Sequence, residues 1–221
     1  MNLILLGAPG TGKGTLAAGI RNAIGIAHVS TGDMFRHNIK DGTPLGKEAS
    51  GYIAHGELVP DSLTIRMLEE RLQRDDCRKG FLLDGYPRTI AQADALAAFL
   101  TGVGQKIDAV LDIRLADATI QERLSGRRVC PSCGSSYNLA ARPPKKPGIC
   151  DTCGTALEHR EDDRPETIAV RLMAYHEKTR PLEDYYAARG LLHAYDNEVG
   201  SEITLQSILK ALGTLGAASR P

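Results

Sequence analysis

Apolar residues recur along this chain in two rhythms, and the alternation between them predicts its architecture. Asn2 to Leu6 is a short apolar run stopped by Gly7, the pattern of a strand buried on both faces. Phe81 to Leu83 and Ala109 to Ile113 repeat it, the first of these running into Asp84-Gly85, and Leu191 to Tyr195 reads as a last strand. Between the strands, apolar positions return at helical spacing. Thr15 to Ile24 shows this, as do Ile65, Leu68 and Leu72, and Leu205, Ile208, Leu209 and Leu212. Ile168, Leu172, Tyr175 and Leu182 predict one face of a single long helix, with Pro165 in its first turn. Strands alternating with helices predict an α/β fold, a parallel sheet covered on both faces.

Two segments break the rhythm. Ser30 to Val59 reads as helical without a strand, with turn signals at Asp41-Gly42 and Gly56. Arg127 to Asp163 has hardly any apolar periodicity and carries cysteines, glycines and the rigid run Arg142 to Pro147; such an insert needs a staple. The tail from Gly213 to Pro221 is expected to fray.

A length of 221 residues allows one domain with a sizeable core and a small insert. Lys and Arg (27) balance Asp and Glu (27), so no net field draws the chain to nucleic acid or membrane, and any anion site must be built locally. The first apolar stretch, Leu3 to Leu6, is too short for a signal peptide or a span, and a cytoplasmic location is expected.

The strongest local signal is Gly7-Ala-Pro-Gly-Thr-Gly-Lys13-Gly-Thr15, between a strand and a helix. Glycines let the backbone close around a phosphate with N–H groups pointing inward, the helix start adds partial positive charge, and Lys13 can reach the terminal phosphates. In the commonest form of this motif a hydroxyl follows the lysine directly; here Gly14 intervenes before Thr15. Asp84 ends a buried strand on the edge where α/β sheets bind ligands, which suits Mg²⁺ held directly or through water; helix capping is the competing assignment. Cys130-x₂-Cys133-x₁₆-Cys150-x₂-Cys153 has the spacing of a closed Cys₄ zinc site, with disulfides or an iron–sulfur cluster as the alternatives. Cys77 and the six scattered histidines show no ligand spacing, and Tyr185-Tyr186 reads as packing.

Leu5 to Thr15, Ser30-Thr-Gly-Asp-Met34 and Phe81-Leu-Leu-Asp-Gly-Tyr-Pro-Arg-Thr89 together closely resemble adenylate kinase, a nucleoside monophosphate kinase family, from residue 1 to about 212. The cysteine-bearing insert is similar to that of long-form bacterial members. The resemblance implies a P-loop three-layer fold with a five-stranded parallel sheet. It implies a core formed by residues 1–29, 60–126 and 164–221, a helical AMP-binding domain at 30–59 and a zinc-stapled lid at 127–163. It implies the Mg²⁺-dependent reaction of ATP and AMP giving two ADP, in a monomer with no nucleic-acid or membrane partner.

By the same resemblance, Gly10, Thr11, Gly12, Lys13, Gly14 and Thr15 hold ATP phosphates, and Arg123 and Arg127 contact ATP. Ser136 and Tyr137 lie beside adenine, and a backbone carbonyl near Val199 meets it. Thr31, Arg36, Glu57, Leu58, Val59, Gly85, Tyr86, Pro87, Arg88 and Gln92 form the AMP site, with Arg160 and Arg171 bridging into it. Tyr86 stands where phenylalanine is usual and Leu16 where glutamine is usual. Phosphoryl transfer wants planar, permanently charged forks and no nucleophile, so Lys13, Arg88, Arg123, Arg127, Arg160 and Arg171 are the expected catalytic set. A UMP/CMP-type kinase, a P-loop switch and a zinc-ribbon nucleic-acid binder are the rival functions.

Overall fold

The computed structural model describes residues 1–218, with side chains through Leu215. Its centre is a five-stranded parallel sheet of order β2-β3-β1-β4-β7. The strands are β1 (Asn2–Leu6), β2 (Ala27–Ser30), β3 (Phe81–Asp84), β4 (Ala109–Arg114) and β7 (Leu192–Asp196). Every pair in it is parallel. β1, β3 and β4 are buried on both faces, which explains their unbroken apolar runs. Strand β2 escaped the sequence pattern because it is an edge strand, Ala-His-Val-Ser, in which only Val29 is buried.

Helices α1 (Lys13–Ile24) and α9 (Ser201–Ala218) cover one face, where Leu16, Ala17, Ile20, Ile208 and Leu212 meet Leu3, Leu5, Leu82 and Leu111. On the other face α4 (Asp61–Leu72), α5 (Ile90–Gly102) and α8 (Leu182–Ala187) bury Leu68, Leu96, Leu100, Leu182 and Tyr186 against Ile4, Leu83 and Val110. Leu16 is therefore a core residue, as is Cys77, which packs in the second cluster and receives a hydrogen bond from Arg71 at 3.1 Å. Tyr185 and Tyr186 pack edge to face.

Three expectations need correction. The single long helix is instead α7 (Pro165–Ala174), a π-turn at Tyr175–Thr179 and α8. Arg180 N–H bonds to Tyr175 O, one residue further than α-helical spacing, and Pro181 offers no N–H to restore the ladder. Ile168, Leu172 and Tyr175 consequently pack against Ile120 and Leu124, whereas Leu182 enters a different cluster. The tail does not fray from Gly213: α9 runs to Ala218, anchored through Leu212 and Leu215. Residues 219–221 of that expectation lie outside the described residues. Finally, Leu209 of the α9 stripe lies outside the core cluster that holds Ile208 and Leu212.

Residues 31–55 form α2 (Thr31–Lys40) and α3 (Pro44–His55), capped by the Ser30 and Thr43 side chains. Phe35, Ala49, Val59, Leu63 and Met67 join them to α4. After α6 (Asp117–Ser125) the insert is a small antiparallel pair, β5 (Arg127–Val129) and β6 (Ser136–Asn138), with a further bridge at Ile149–Ala156. Its own core is just Cys130, Tyr137 and Cys150, with Leu157 against them. Its far end touches the helical insert, where Lys40 Nζ donates to Pro131 O at 3.4 Å.

Candidate functional site

The carboxyl ends of β1 and β3 lie side by side, with Leu5 paired to Asp84, so the Gly7–Thr15 loop and Asp84 share one edge of the sheet. Gly7 and Gly12 hold positive φ (133° and 94°). A side chain on Gly7 would strike Ile113 O, and one on Gly12 would sit 2.7 Å from Asn197 Nδ2. Lys13 Nζ donates to Gly7 O at 2.8 Å and to Ala8 O at 2.7 Å, folded back into the loop it belongs to. Burial, and then the positive charges of Arg88, Arg171 and Arg127, pull its pKa down to about 8 against the support of Asp84. The burial of Asp84 is outweighed by His28, 3.5 Å away, and by Lys13, which keep its carboxyl below the usual range and ionised.

Around this edge stands a crowd of guanidiniums. Arg88 is pushed down to about 10 by burial and then by Arg171. Arg160 is pushed down to about 10 by burial and then by Arg36 and Arg127. Arg171 is lowered by burial, against the support of Asp162. Mutual lowering of this kind marks an excess of positive charge that a multiply charged anion relieves. What carboxylates there are serve as braces. Asp163, with no exposed surface, takes a two-pronged pair from Arg127 (Nε 2.7 Å, Nη2 2.5 Å) and a third bond from Arg171 at 3.0 Å. Arg171 also donates to Asp162 O at 2.6 Å, and Arg36 pairs with Asp33 at 2.5 Å.

Beside the arginines an open cavity is lined by Thr31, Arg36, Glu57, Leu58, Val59, Gly85, Arg88, Gln92 and Arg171, among others. From the segment Asp84 to Thr89, Gly85 and Arg88 line it. Tyr86-Pro87 is a cis peptide, Tyr86 OH donates to Gln92 O at 3.0 Å, and Arg88 Nε donates to Gly85 O at 2.8 Å. The extra hydroxyl of Tyr86 is thus satisfied inside the core, and Tyr86 and Pro87 are both buried and are not among the residues that line the cavity. Thr31 Oγ1 donates to Gly85 O at 2.8 Å, tying α2 to the same segment.

The remaining sequence-expected residues fall less uniformly. Arg123 donates to Asn197 O at 3.3 Å, at the end of β7, and Val199 is exposed in the turn that follows. Ser136 is exposed, but the Tyr137 ring points into the insert's own core. Its hydroxyl accepts from Asp151 N–H at 2.8 Å and lies 3.5 Å from Cys150 Sγ. Three participants were not singled out from the sequence: Asp163 as the arginine brace, Asp61 behind Gln92, and Asn197, whose amide donates to Thr11 O at 2.7 Å. Asp163 had a signal in its neighbour Arg160; the other two had none.

The four insert cysteines come together with all Sγ atoms within 4.8 Å of one another. Each pair makes the same knuckle: Gly134 and Gly154 adopt φ of 74° and 75°, and their N–H groups close on Cys130 O and Cys150 O. A tetrahedron of zinc–sulfur bonds near 2.3 Å puts the sulfurs roughly 3.8 Å apart, so the donor set and its spacing fit Zn²⁺. All five cysteines are unpaired as disulfides among the described residues.

A family model described as adenylate kinase matches residues 5–191. An adenylate kinase of Caldicellulosiruptor saccharolyticus is 53% identical over 213 residues, covering 96% of this chain and 99% of the relative. Those of Moorella thermoacetica and Clostridium beijerinckii are 51% and 49% identical, with the alignments covering 96% of this chain and 98% and 99% of theirs.

Proposed function

The chain belongs to the adenylate kinase family of phosphotransferases, and from that premise we propose how its residues divide the reaction ATP + AMP ⇌ 2 ADP. The observation that carries the division is a charge-crowded edge that the Gly7–Thr15 loop shares with the cavity lined by Thr31, Arg88 and Gln92.

On the donor side, Gly10, Thr11, Gly12, Gly14 and Thr15 present N–H groups to the ATP phosphates. Lys13 leaves the Gly7 and Ala8 carbonyls to bind them. Asp84 would hold Mg²⁺, directly or through water, and the ion would supply charge neutralisation to the transferring phosphates. Adenine is taken to lie between β6, at Ser136 and Tyr137, and the turn at Val199. On the acceptor side, Arg36 and Arg88 bind the AMP phosphate, while Thr31, Glu57, Leu58, Val59, Gly85 and Gln92 enclose its nucleoside. Arg123, Arg127, Arg160 and Arg171 stabilise the charge spread over the transferring group, each able to meet two oxygens in one plane.

Water is the competing acceptor, so the site must close dry. We assign closure to residues 127–163 as a lid folding over a core of 1–29, 60–126 and 164–221, with 30–59 as the AMP-binding domain. The contact of Lys40 with Pro131 supports a lid that meets that domain. The cysteine tetrahedron would hold structural Zn²⁺ and take no part in the chemistry, since its protein ligands fill all four positions. Purified enzyme is expected to carry ~1 equivalent of zinc; less than about half an equivalent with four titratable insert thiols rejects this. The enzyme is proposed to act as a cytoplasmic monomer; both pockets are built from one chain, and unpaired thiols suit a reducing compartment.

The functional test is disproportionation: ADP with Mg²⁺ should yield ATP and AMP, and AMP should far outperform UMP and CMP as acceptor. Activity with UMP or CMP equal to that with AMP would overturn the acceptor assignment.

A further inference from the structure

Behind the acceptor cavity, one carboxylate decides how a neutral amide faces it. Gln92 lines the cavity and is almost fully buried. Its Oε1 accepts from Arg88 N–H at 2.8 Å, and its Nε2 donates to Asp61 Oδ1 at 2.7 Å. Oxygen and nitrogen of an amide are distinguished only by their partners. Here the assignment is forced, because a backbone N–H requires an acceptor and a carboxylate requires a donor. Among the described residues these two bonds are the ones the amide makes, so one N–H and one lone pair remain. Asp61 is itself held: its other oxygen, Oδ2, accepts from Thr89 Oγ1 at 2.8 Å. It is also the first residue of α4, directly after the cavity-lining Leu58-Val59 and Pro60.

The remaining donor and acceptor can read the six-membered edge of a purine. A 6-aminopurine offers a donor at position 6 and an acceptor at N1; a 6-oxopurine offers the reverse. A freely turning amide suits both, and a locked one suits only one. We propose that Asp61 is a positioning residue that locks the Gln92 amide and thereby makes the acceptor site select a 6-amino over a 6-oxo purine monophosphate. This rests on Gln92 contacting the acceptor base, as proposed above.

The test compares AMP with IMP, which differ only in that exchanged edge. Asp61→Ala is expected to lower the AMP-to-IMP ratio of kcat/KM by at least about tenfold, raising KM for AMP while KM for ATP stays put. Should that variant fold poorly, Asp61→Ser keeps a polar group at the start of α4 but is too short to reach Gln92, and the same fall is expected. Leu212→Ala opens a cavity in the core on the opposite face of the sheet, away from Asp61 and Gln92. It should lower Tm yet retain the ratio, which separates selectivity from stability. Gln92→Leu checks the premise. If Gln92→Leu collapses the ratio while both Asp61 variants keep it, the lock is refuted and the base contact stands. If Gln92→Leu keeps the ratio, the base contact itself is wrong.

Discussion

Lys13→Met is expected to lower kcat by about 10³-fold while leaving the fold intact. Methionine keeps the length and apolar stem of lysine and loses only the ammonium. That ammonium donates to Gly7 O and Ala8 O, at 2.8 and 2.7 Å, while the loop is also held by Thr11 Oγ1 donating to Ala8 O and Asn197 Nδ2 donating to Thr11 O, bonds the substitution leaves in place. A coupled spectrophotometric assay at saturating ATP and AMP measures the loss; a drop smaller than tenfold would show that Lys13 is not a transition-state contact.

The same residue gives the enzyme a pH signature. Burial lowers the Lys13 pKa in the folded chain from 10.5 to about 8. A lysine with a depressed folded pKa costs stability wherever it is charged in both states, that is below pH 8. Between about 8 and 10.5 the unfolded chain binds more protons, so wild-type stability rises relative to Lys13→Met across that window. Catalysis runs the other way. kcat/KM for ATP, which reports the free enzyme, should fall as pH rises through about 8 in the wild type, and that limb should be missing in the variant. Urea titrations and kcat/KM profiles from pH 7 to 10 read both; a limb that persists unchanged in Lys13→Met would assign it to another group.

Asp163→Ala is expected to carry the largest stability loss of any single carboxylate replacement in the site. The side chain is wholly buried and holds Arg127 by two bonds and Arg171 by one, with both arginines largely buried themselves. Removing one member of a buried ionic cluster leaves Arg127 without its carboxylate, while Arg171 keeps Asp162, at a cost of about 3–5 kcal/mol, which lowers Tm by roughly 10 °C in a chain of this size. Arg127 also loses its aim and Arg171 one of its two braces, so kcat/KM should fall about 10²-fold through misplacement alone. Asp163→Asn, equal in shape, restores packing but turns an amide N–H toward an arginine, and should recover part of the Tm with little of the activity. Thermal melts and steady-state rates for the pair decide it: full activity in Asp163→Asn would mean that the carboxylate charge does not organise the arginines.

These outcomes depend on features that differ in how visible they were before folding. The Gly7–Thr15 loop, the strand running into Asp84 and the paired cysteine knuckles were legible because their chemistry is local. Phosphate wrapping needs glycines at fixed offsets, and a C-x-x-C turn delivers two thiols from four residues. The buried central strands were legible because parallel strands covered on both faces leave an unbroken apolar run. The edge strand Ala27–Ser30 was not, since one open side lets polar residues in. The break at Tyr175–Thr179 was hidden because a π-turn shifts hydrogen bonds by one residue without disturbing the apolar spacing that a reader counts.

By itself, then, the sequence determined the layered α/β plan, the phosphate loop, the metal-ready knuckles and, through its motifs, the family. Only the tertiary structure decided how the charges are arbitrated. Asp61 and Gln92 are separated by 31 residues, Arg127 and Asp163 by 36, and Thr11 and Asn197 by 186. No periodicity or spacing rule reaches across such intervals, because an isolated aspartate or asparagine in a chain is equally a cap, a turn or a solvated side chain. Burial is what turns it into a brace: once water is excluded, every remaining donor and charge must find its partner within the fold, and that requirement exists only after the chain has closed on itself.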